Sequence, residues 1–235
     1  MPDVIAVMKR REIKYILNEW QCQYLKKALE GHMEIDKFGL CSIASLYYDT
    51  PNKRLIRASI EKPKFKEKIR LRSYGIATDE SPVYLELKRK AMGVVYKRRV
   101  TTTLSVANEF FSKETNDIGI GQIAKEIIYF RDYYENLEPS CLIIYDREAY
   151  FEPQGNLRLT IDYNPRYRVT DLNLSTSLEG ISLLPKGTAI LEIKVQDAIP
   201  LWLTKILDEG KIYKGSFSKY GEAFKQTILK EKGKM

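Results

Sequence analysis

The feature that most limits what this chain can become is a two-residue alternation of cations and large aliphatics that recurs in segment after segment. In "KIRLRSYG", Lys68 to Gly75, the cations Lys68, Arg70 and Arg72 share one side while Ile69 and Leu71 take the other. A period of two belongs to a β-strand with unlike faces. In "VYLELKRK", Tyr84, Glu86, Lys88 and Lys90 oppose Val83, Leu85 and Leu87. "RREIKYIL" sets Glu12 and Lys14 against Ile13, and "AILEIKV" sets Glu192 and Lys194 against Leu191, Ile193 and Val195. "RLTID" groups Arg158, Thr160 and Asp162, "IIYDREAY" groups Tyr145 and Arg147, and "VYKRRV" groups Lys97 and Arg99 with Arg98 on the far side. At least six strands therefore carry a charged face, rich in cations, backed by an aliphatic one.

A single strand of this kind would describe an antiparallel sheet with one solvated face. Six of them, together with several amphipathic helices, require more. Helical patterns fall at about 18–30, with Asn18 as N-cap and Gly31 as stop, and at 105–114, 119–137, 200–209 and 218–232. Strand patterns fall at 9–16, 42–48, 53–59, 65–74, 82–90, 94–103, 141–152, 157–163 and 188–196, with an irregular connection over 170–187. If the helices cover the aliphatic faces, the charged faces must look at one another. The expected class is α+β: an antiparallel β-barrel tunnel with packed helices outside. Such a lumen is untenable when dry and empty, because like charges repel strongly in a low dielectric. It becomes reasonable when it is wet and takes a polyanion together with a divalent cation held by its carboxylates.

Composition narrows the partners. With 39 Lys and Arg against 31 Asp and Glu, the net charge is +8 and the pI about 9.2, which favours an anionic partner. The cations alternate on strand faces and are not gathered on one exposed helix, which argues against nucleic acid. Cys22, Cys41 and Cys141 are odd in number and lack CxxC spacing, so neither a disulfide framework nor a zinc site is indicated. No signal-peptide pattern opens the chain and no apolar run approaches the roughly 20 residues of a membrane span, so a cytoplasmic protein without membrane insertion is expected. His32, the one histidine, follows a helix-stop glycine and is read as a surface or capping residue. No GxxxxGK[ST] and no strand-borne GxGxxG is present, so nucleotide use would proceed without a P-loop or Rossmann cradle. No repeat or low-complexity linker divides residues 1–235, which read as a single domain.

Eight segments in order, "RREIKYI", "SLYYDT", "KIRLRSYG", "YLELKRK", "YDREAY", "RLTID", "LEIKV" and "SFSKY", resemble the VTC domain, the polyphosphate polymerase domain of the triphosphate tunnel metalloenzymes. The resemblance runs from about residue 9 to residue 224. It implies transfer of the γ-phosphoryl group of ATP to a growing polyphosphate chain, with Mn²⁺ or Mg²⁺ as cofactor. Lys14, Arg70, Arg72, Lys88, Lys97, Arg99, Arg147 and Arg158 are similar to the family's tunnel cations, with Tyr145 beside them as a hydroxyl donor. Among these the resemblance places Arg70, Arg72, Lys88 and Arg147, together with Lys219, at the reacting phosphates. Glu192 resembles the metal-ligating glutamate and Lys194 shares its face. Ser218 and Lys219 resemble the helix-start pair at the tunnel end, where a helix N-terminus favours an anion.

Two departures bear on activity. Hydrolytic members of the superfamily carry ExExK on the first strand, and here Arg10 replaces the first glutamate, which favours the polymerase branch. Ser216 stands where some members place a further lysine. A tunnel triphosphatase and a non-catalytic polyphosphate-binding module are the competing expectations.

Overall fold

The structure, a computed structural model, describes residues 11–61, 63–92 and 94–232. Arg10 therefore lies outside the described residues. In chain order the elements are β1 (Arg11–Leu17), α1 (Glu19–Leu29), β2 (Glu34–Ile35), β3 (Cys41–Asp49), α2 (Arg54–Glu61), β4 (Phe65–Tyr74), β5 (Pro82–Ala91) and β6 (Val94–Thr103). There follow α3 (Leu104–Phe111), α4 (Gln122–Tyr134), β7 (Glu138–Phe151), β8 (Arg158–Arg168), β9 (Ile181–Ser182), β10 (Ala189–Val195), α5 (Leu201–Glu209), β11 (Lys214–Gly215) and α6 (Lys219–Lys232). The class is α+β with antiparallel pairing, and the path of strand pairing is open, ending on β11 at one edge and β6 at the other.

Two compact units divide the chain, and β7 and β8 run from one into the other. The first comprises residues 11–41, 145–165 and 184–217. Its strands follow the order β11–β1–β10–β8–β7, with β2 added on the far end of β7. The alternation expected from the sequence is realised residue by residue. Tyr15 and Leu17, Leu159 and Ile161, and Leu191, Ile193 and Val195 pack with Leu25 and Leu29 of α1 and Leu203, Ile206 and Leu207 of α5 in one core. Asn18 starts α1 as expected. Its side chain accepts from the Gln21 amide while Gln21 returns a bond to the Asn18 amide, closing a capping box.

The second unit comprises the described residues of 42–144, 166–183 and 218–232. Its order is β7–β3–β4–β5–β6, with β9 on the end of β8. Leu46 and Tyr48, Ile69 and Leu71, Val83, Leu85 and Leu87, and Leu142 and Ile144 supply the sheet side of its core. Leu104, Ala107 and Phe110 of α3 and Ala124, Ile127 and Phe130 of α4 supply the helix side. Helices thus cover the aliphatic faces in both units, which leaves the cation-bearing faces to other uses.

One element differs in kind from expectation. Residues 53–59 read as a strand, and they form the helix α2. Its first turn is capped from the end of β3: the Asp49 carboxyl group accepts from the amides of Leu55 and Ile56, at 2.8 and 2.9 Å, and the Thr50 hydroxyl accepts from Arg54. These acceptors satisfy donors that a helix start otherwise leaves open, and they favour helix over strand in a short ambiguous run. β8 also continues past 163 to Arg168. Beyond it, Arg166 and Arg168 donate to the carbonyls of Leu178, Asp171 and Glu179, pinning the irregular 170–187 segment back on the strand. Gly180 sits against that strand so closely that a Cβ there would meet the Tyr167 carbonyl oxygen at 2.8 Å.

Candidate functional site

Each unit carries a carboxylate wrapped in cations on the strand face opposite its aliphatic core. In the second unit the carboxylate is Glu86 of β5, 2% exposed. It lies opposite Arg70 of β4 on one side and Arg99 of β6 on the other. Arg70 donates to Glu86 Oε2 from Nε at 2.8 Å and from Nη2 at 2.7 Å, while Arg72 Nη2 lies 3.7 Å from the same oxygen. The other oxygen takes Lys97 at 2.8 Å and both Nε and Nη2 of Arg99. Tyrosines and a serine complete the arrangement. Arg70 Nη1 donates to the Tyr47 hydroxyl at 2.9 Å, Arg72 Nε to Ser45 Oγ at 3.4 Å, and the Arg99 guanidinium lies 4.7 Å from the Tyr84 ring centre.

The electrostatics follow from this crowding. Burial by itself would raise the Glu86 pKa, and the charges of Arg70, Arg72 and Lys97 overcome it and hold the group far below the usual carboxylate range. For Lys97 the balance of burial and charge tips the other way. Although 45% of its side chain is exposed, desolvation outweighs the pull of Glu86 and lowers its pKa to about 8, with Arg99 and Arg72 adding repulsion.

The same face extends to the start of α6. Ser218 Oγ accepts from the Gly221 amide at 3.2 Å as a helix cap, and Lys68 Nζ reaches Ser218 Oγ at 3.5 Å and the Tyr220 ring at 5.6 Å. Lys219 is the first residue of that helix. Tyr220 fastens the helix start to the sheet: its ring stacks on Tyr47 and its hydroxyl bonds Asp49 and Ser140, each at 3.0 Å. Tyr47 and Asp49 of "SLYYDT" thus brace this end of the face, while Tyr48 between them packs in the core against Phe111. Lys88 is exposed and sits opposite Lys68 in one ladder and Lys97 in the next.

In the first unit the central carboxylate is Glu192 of β10. Lys14 of β1 approaches its Oε2 at 3.3 Å and Lys194 its Oε1 at 2.9 Å. Lys14 also donates to the Phe217 carbonyl at 3.1 Å. Burial would raise the Glu192 pKa, and Lys194, Lys14 and Arg147 hold it well below the carboxylate range. Arg147 of β7 makes a two-pronged bond to Asp162 of β8, with Nη2 to Oδ2 at 2.9 Å, and its guanidinium lies 5.0 Å from the Tyr145 ring. Arg158 is exposed, opposite Lys194, with its guanidinium 5.2 Å from the Phe151 ring.

The expected residues thus fall into two sets, Lys14, Tyr145, Arg147, Arg158, Glu192 and Lys194 in one unit and Arg70, Arg72, Lys88, Lys97, Arg99, Ser218 and Lys219 in the other. Four further residues enter beside them: Glu86, Asp162, Asp49 and Thr160. Glu86 and Asp162 were visible as acids on cationic faces, and only the pairing shows that each organises arginines. Thr160 is 6% exposed and lies opposite Glu192 in the ladder, and its hydroxyl has no hydrogen-bond partner among the described residues. Among the described residues no cluster of three or more His, Cys, Asp or Glu could hold a metal ion. The donor set at Glu192 is one carboxylate shared by two ammonium groups plus a neighbouring hydroxyl. It does not fit an ion caged by side chains, and it fits an ion whose remaining ligands are phosphate oxygens.

The sequence matches the VTC domain family over residues 9–228. No curated protein sequence matches it. Among solved structures, one from Bacillus halodurans, provisionally assigned as an adenylate cyclase, is similar at a TM-score of 0.57 and 14% identity, covering 90% of this chain and 96% of that one. A second, with the same provisional assignment and from Vibrio parahaemolyticus, is similar at a TM-score of 0.49 and 11% identity, covering 92% and 98%. No helix among the described residues is long and apolar enough to cross a membrane.

Proposed function

The chain belongs to the VTC domain family, and from that premise we propose that it is an ATP-dependent polyphosphate polymerase. The observation that carries the reading is the set of four cations, Arg70, Arg72, Lys97 and Arg99, gathered on the sheet face opposite the core built with α3 and α4. A phosphate chain suits such a face, because guanidinium forks match pairs of phosphoryl oxygens and an ammonium group follows as a mobile point charge.

In the proposed reaction a terminal oxygen of the acceptor chain forms a bond to the γ-phosphorus of ATP as the bond from that phosphorus to the β,γ-bridging oxygen breaks, and ADP leaves with the electron pair. No side chain has to act as nucleophile. Arg70, Arg72, Lys88, Arg147 and Lys219 align the reacting phosphates and offset charge on their oxygens. Lys14, Lys97, Arg99, Tyr145, Arg158, Lys194 and Ser218 hold the nucleotide and the product chain. Asp162 keeps the Arg147 fork in one orientation. Glu192 would hold Mg²⁺ or Mn²⁺ entering with the nucleotide, and the ion would supply Lewis-acid stabilisation of charge on the phosphates.

The test is incubation with ATP and Mn²⁺, with and without a short polyphosphate primer, following ADP release and polymer length on a gel. Long polymer with the native chain and at least a hundredfold less with Glu192→Ala is expected. Free phosphate without polymer would instead mark a triphosphatase. A second reading, a condensed-phosphate binder without turnover, is favoured by one observation: Glu86, Glu192 and Asp162 are each already occupied by cations. Polyphosphate binding with no ADP release under any metal would establish it.

A further inference from the structure

Glu86 is in the wrong place for a residue that helps to bind an anion. It is buried at the centre of the cations proposed to hold phosphate, and its two oxygens take the donors that a phosphate would need. Arg70 spends Nε and Nη2 on it, and Arg99 likewise spends Nε and Nη2. Those paired donors are the fork by which arginine grips a planar or tetrahedral oxyanion. Lys97 points at the same carboxylate, at 2.8 Å, and Arg72 lies at its edge.

Such an acid has one evident use in the absence of ligand. Four cations on adjoining strands repel, and a central carboxylate lets them share one small volume. A second effect follows when a phosphate chain arrives. To reach the forks it must displace Glu86, so part of its binding energy goes to breaking ion pairs already made. The grip is weakened by a fixed amount, and each phosphate that leaves is replaced at once by the carboxylate.

We propose that Glu86 is a positioning residue that acts as a built-in competing anion, occupying the Arg70, Arg72, Lys97 and Arg99 cluster until a condensed phosphate displaces it. This rests on the reading of that face as a phosphate-chain site. Its consequence is a site that holds a chain firmly enough to orient it and loosely enough to let it advance. The sign of the effect separates this role from a structural one. Removing a mere scaffold residue would loosen the cations and weaken binding, whereas removing a competitor strengthens it.

The experiment is calorimetric titration of the full chain with inorganic tripolyphosphate, without metal, comparing the native protein with Glu86→Gln and Glu86→Asp. Glu86→Gln keeps the shape and removes the charge, and is expected to bind about fivefold or more tightly, while Glu86→Asp stays within about twofold of native. Under ATP turnover, Glu86→Gln should lower KM and kcat together, because the released chain leaves a tighter site more slowly. Equal or weaker binding by a Glu86→Gln protein with native circular dichroism overturns the proposal and leaves the polymerase reading intact. Should that variant fail to fold, the native protein decides. The side-chain carboxyl ¹³C resonance of Glu86 and the Nε resonances of Arg70 and Arg99 should shift as tripolyphosphate is added. Binding that leaves them unmoved refutes displacement. A native protein that takes no tripolyphosphate at millimolar concentration overturns both this proposal and the reading it rests on.

Discussion

Replacing Asp49 with asparagine should unfold the protein at markedly lower denaturant while changing nothing on the surface. The side chain is fully buried, and its two oxygens accept from three backbone amides and two hydroxyls, the longest contact being Thr50 Oγ1 at 3.4 Å. Oδ1 receives the amides of Thr50 at 2.9 Å and Leu55 at 2.8 Å; Oδ2 receives the amide of Ile56 at 2.9 Å and the Tyr220 hydroxyl at 3.0 Å. An amide in the same position keeps one oxygen, enough for Thr50 and Leu55. Its NH₂ group then faces the Ile56 N–H, donor against donor. The Tyr220 hydroxyl can turn to accept, since it also has Ser140 within reach at 3.0 Å. The loss is therefore one buried amide bond, left unpaired, and the charge that strengthens the others. Together these amount to about 3 kcal/mol. With a urea m-value of about 3 kcal/mol/M for a chain of this size, the midpoint should fall by about 1 M. Urea titration followed by far-ultraviolet circular dichroism measures it. Because Tyr220 fixes the start of α6, polyphosphate affinity should fall along with stability. A midpoint within 0.3 M of native, roughly 1 kcal/mol at that slope, would refute the claim that Asp49 is the pin joining α2, β3 and α6.

Other outcomes are expected on the same grounds. Thr160→Val removes a buried hydroxyl that has no hydrogen-bond partner among the described residues; the variant should melt about 2–4 °C higher by calorimetry, and no gain would mean the hydroxyl is satisfied in solution. Lys97, with its pKa lowered to about 8, is charged below that pH and neutral above it. Tripolyphosphate affinity should therefore fall as pH rises through about 8, and Lys97→Met should flatten that profile in the same titration. Acid should destabilise the fold. Glu86, Glu192, Glu126 and Glu148 all titrate below their ordinary value of 4.5 in the folded state, so the stability they contribute is complete above that value. It is lost as pH falls beneath it. Melting temperature measured from pH 7 downward should hold to about pH 5 and drop steeply below. A flat profile to pH 3 would show that these ion pairs do not form.

Much of the molecule could be read from the chain alone because period-two alternation is a local property. Which side of a strand meets the core follows from the spacing of Ile69 and Leu71, or of Leu191, Ile193 and Val195, whatever the strands beside them. The charged faces were legible for that reason, and the capped start of α1 because a capping residue is equally local. Neighbourhood was not, because it depends on register. That Glu86 meets Arg70 across one ladder and Arg99 across the other, that Thr160 lies opposite Glu192, and that Asp162 holds Arg147 are decided by how distant segments align. Residues 53–59 show the same limit from the other side. Their apolar spacing suits a strand or a helix, and acceptors from Asp49 and Thr50, with Leu55 and Ile56 turned into the core, settle the matter. The sequence by itself determined which residues share a face. Only the tertiary structure decided which acid holds which arginines, since partners in a sheet are chosen by cross-strand register and a side chain's own segment carries no record of it.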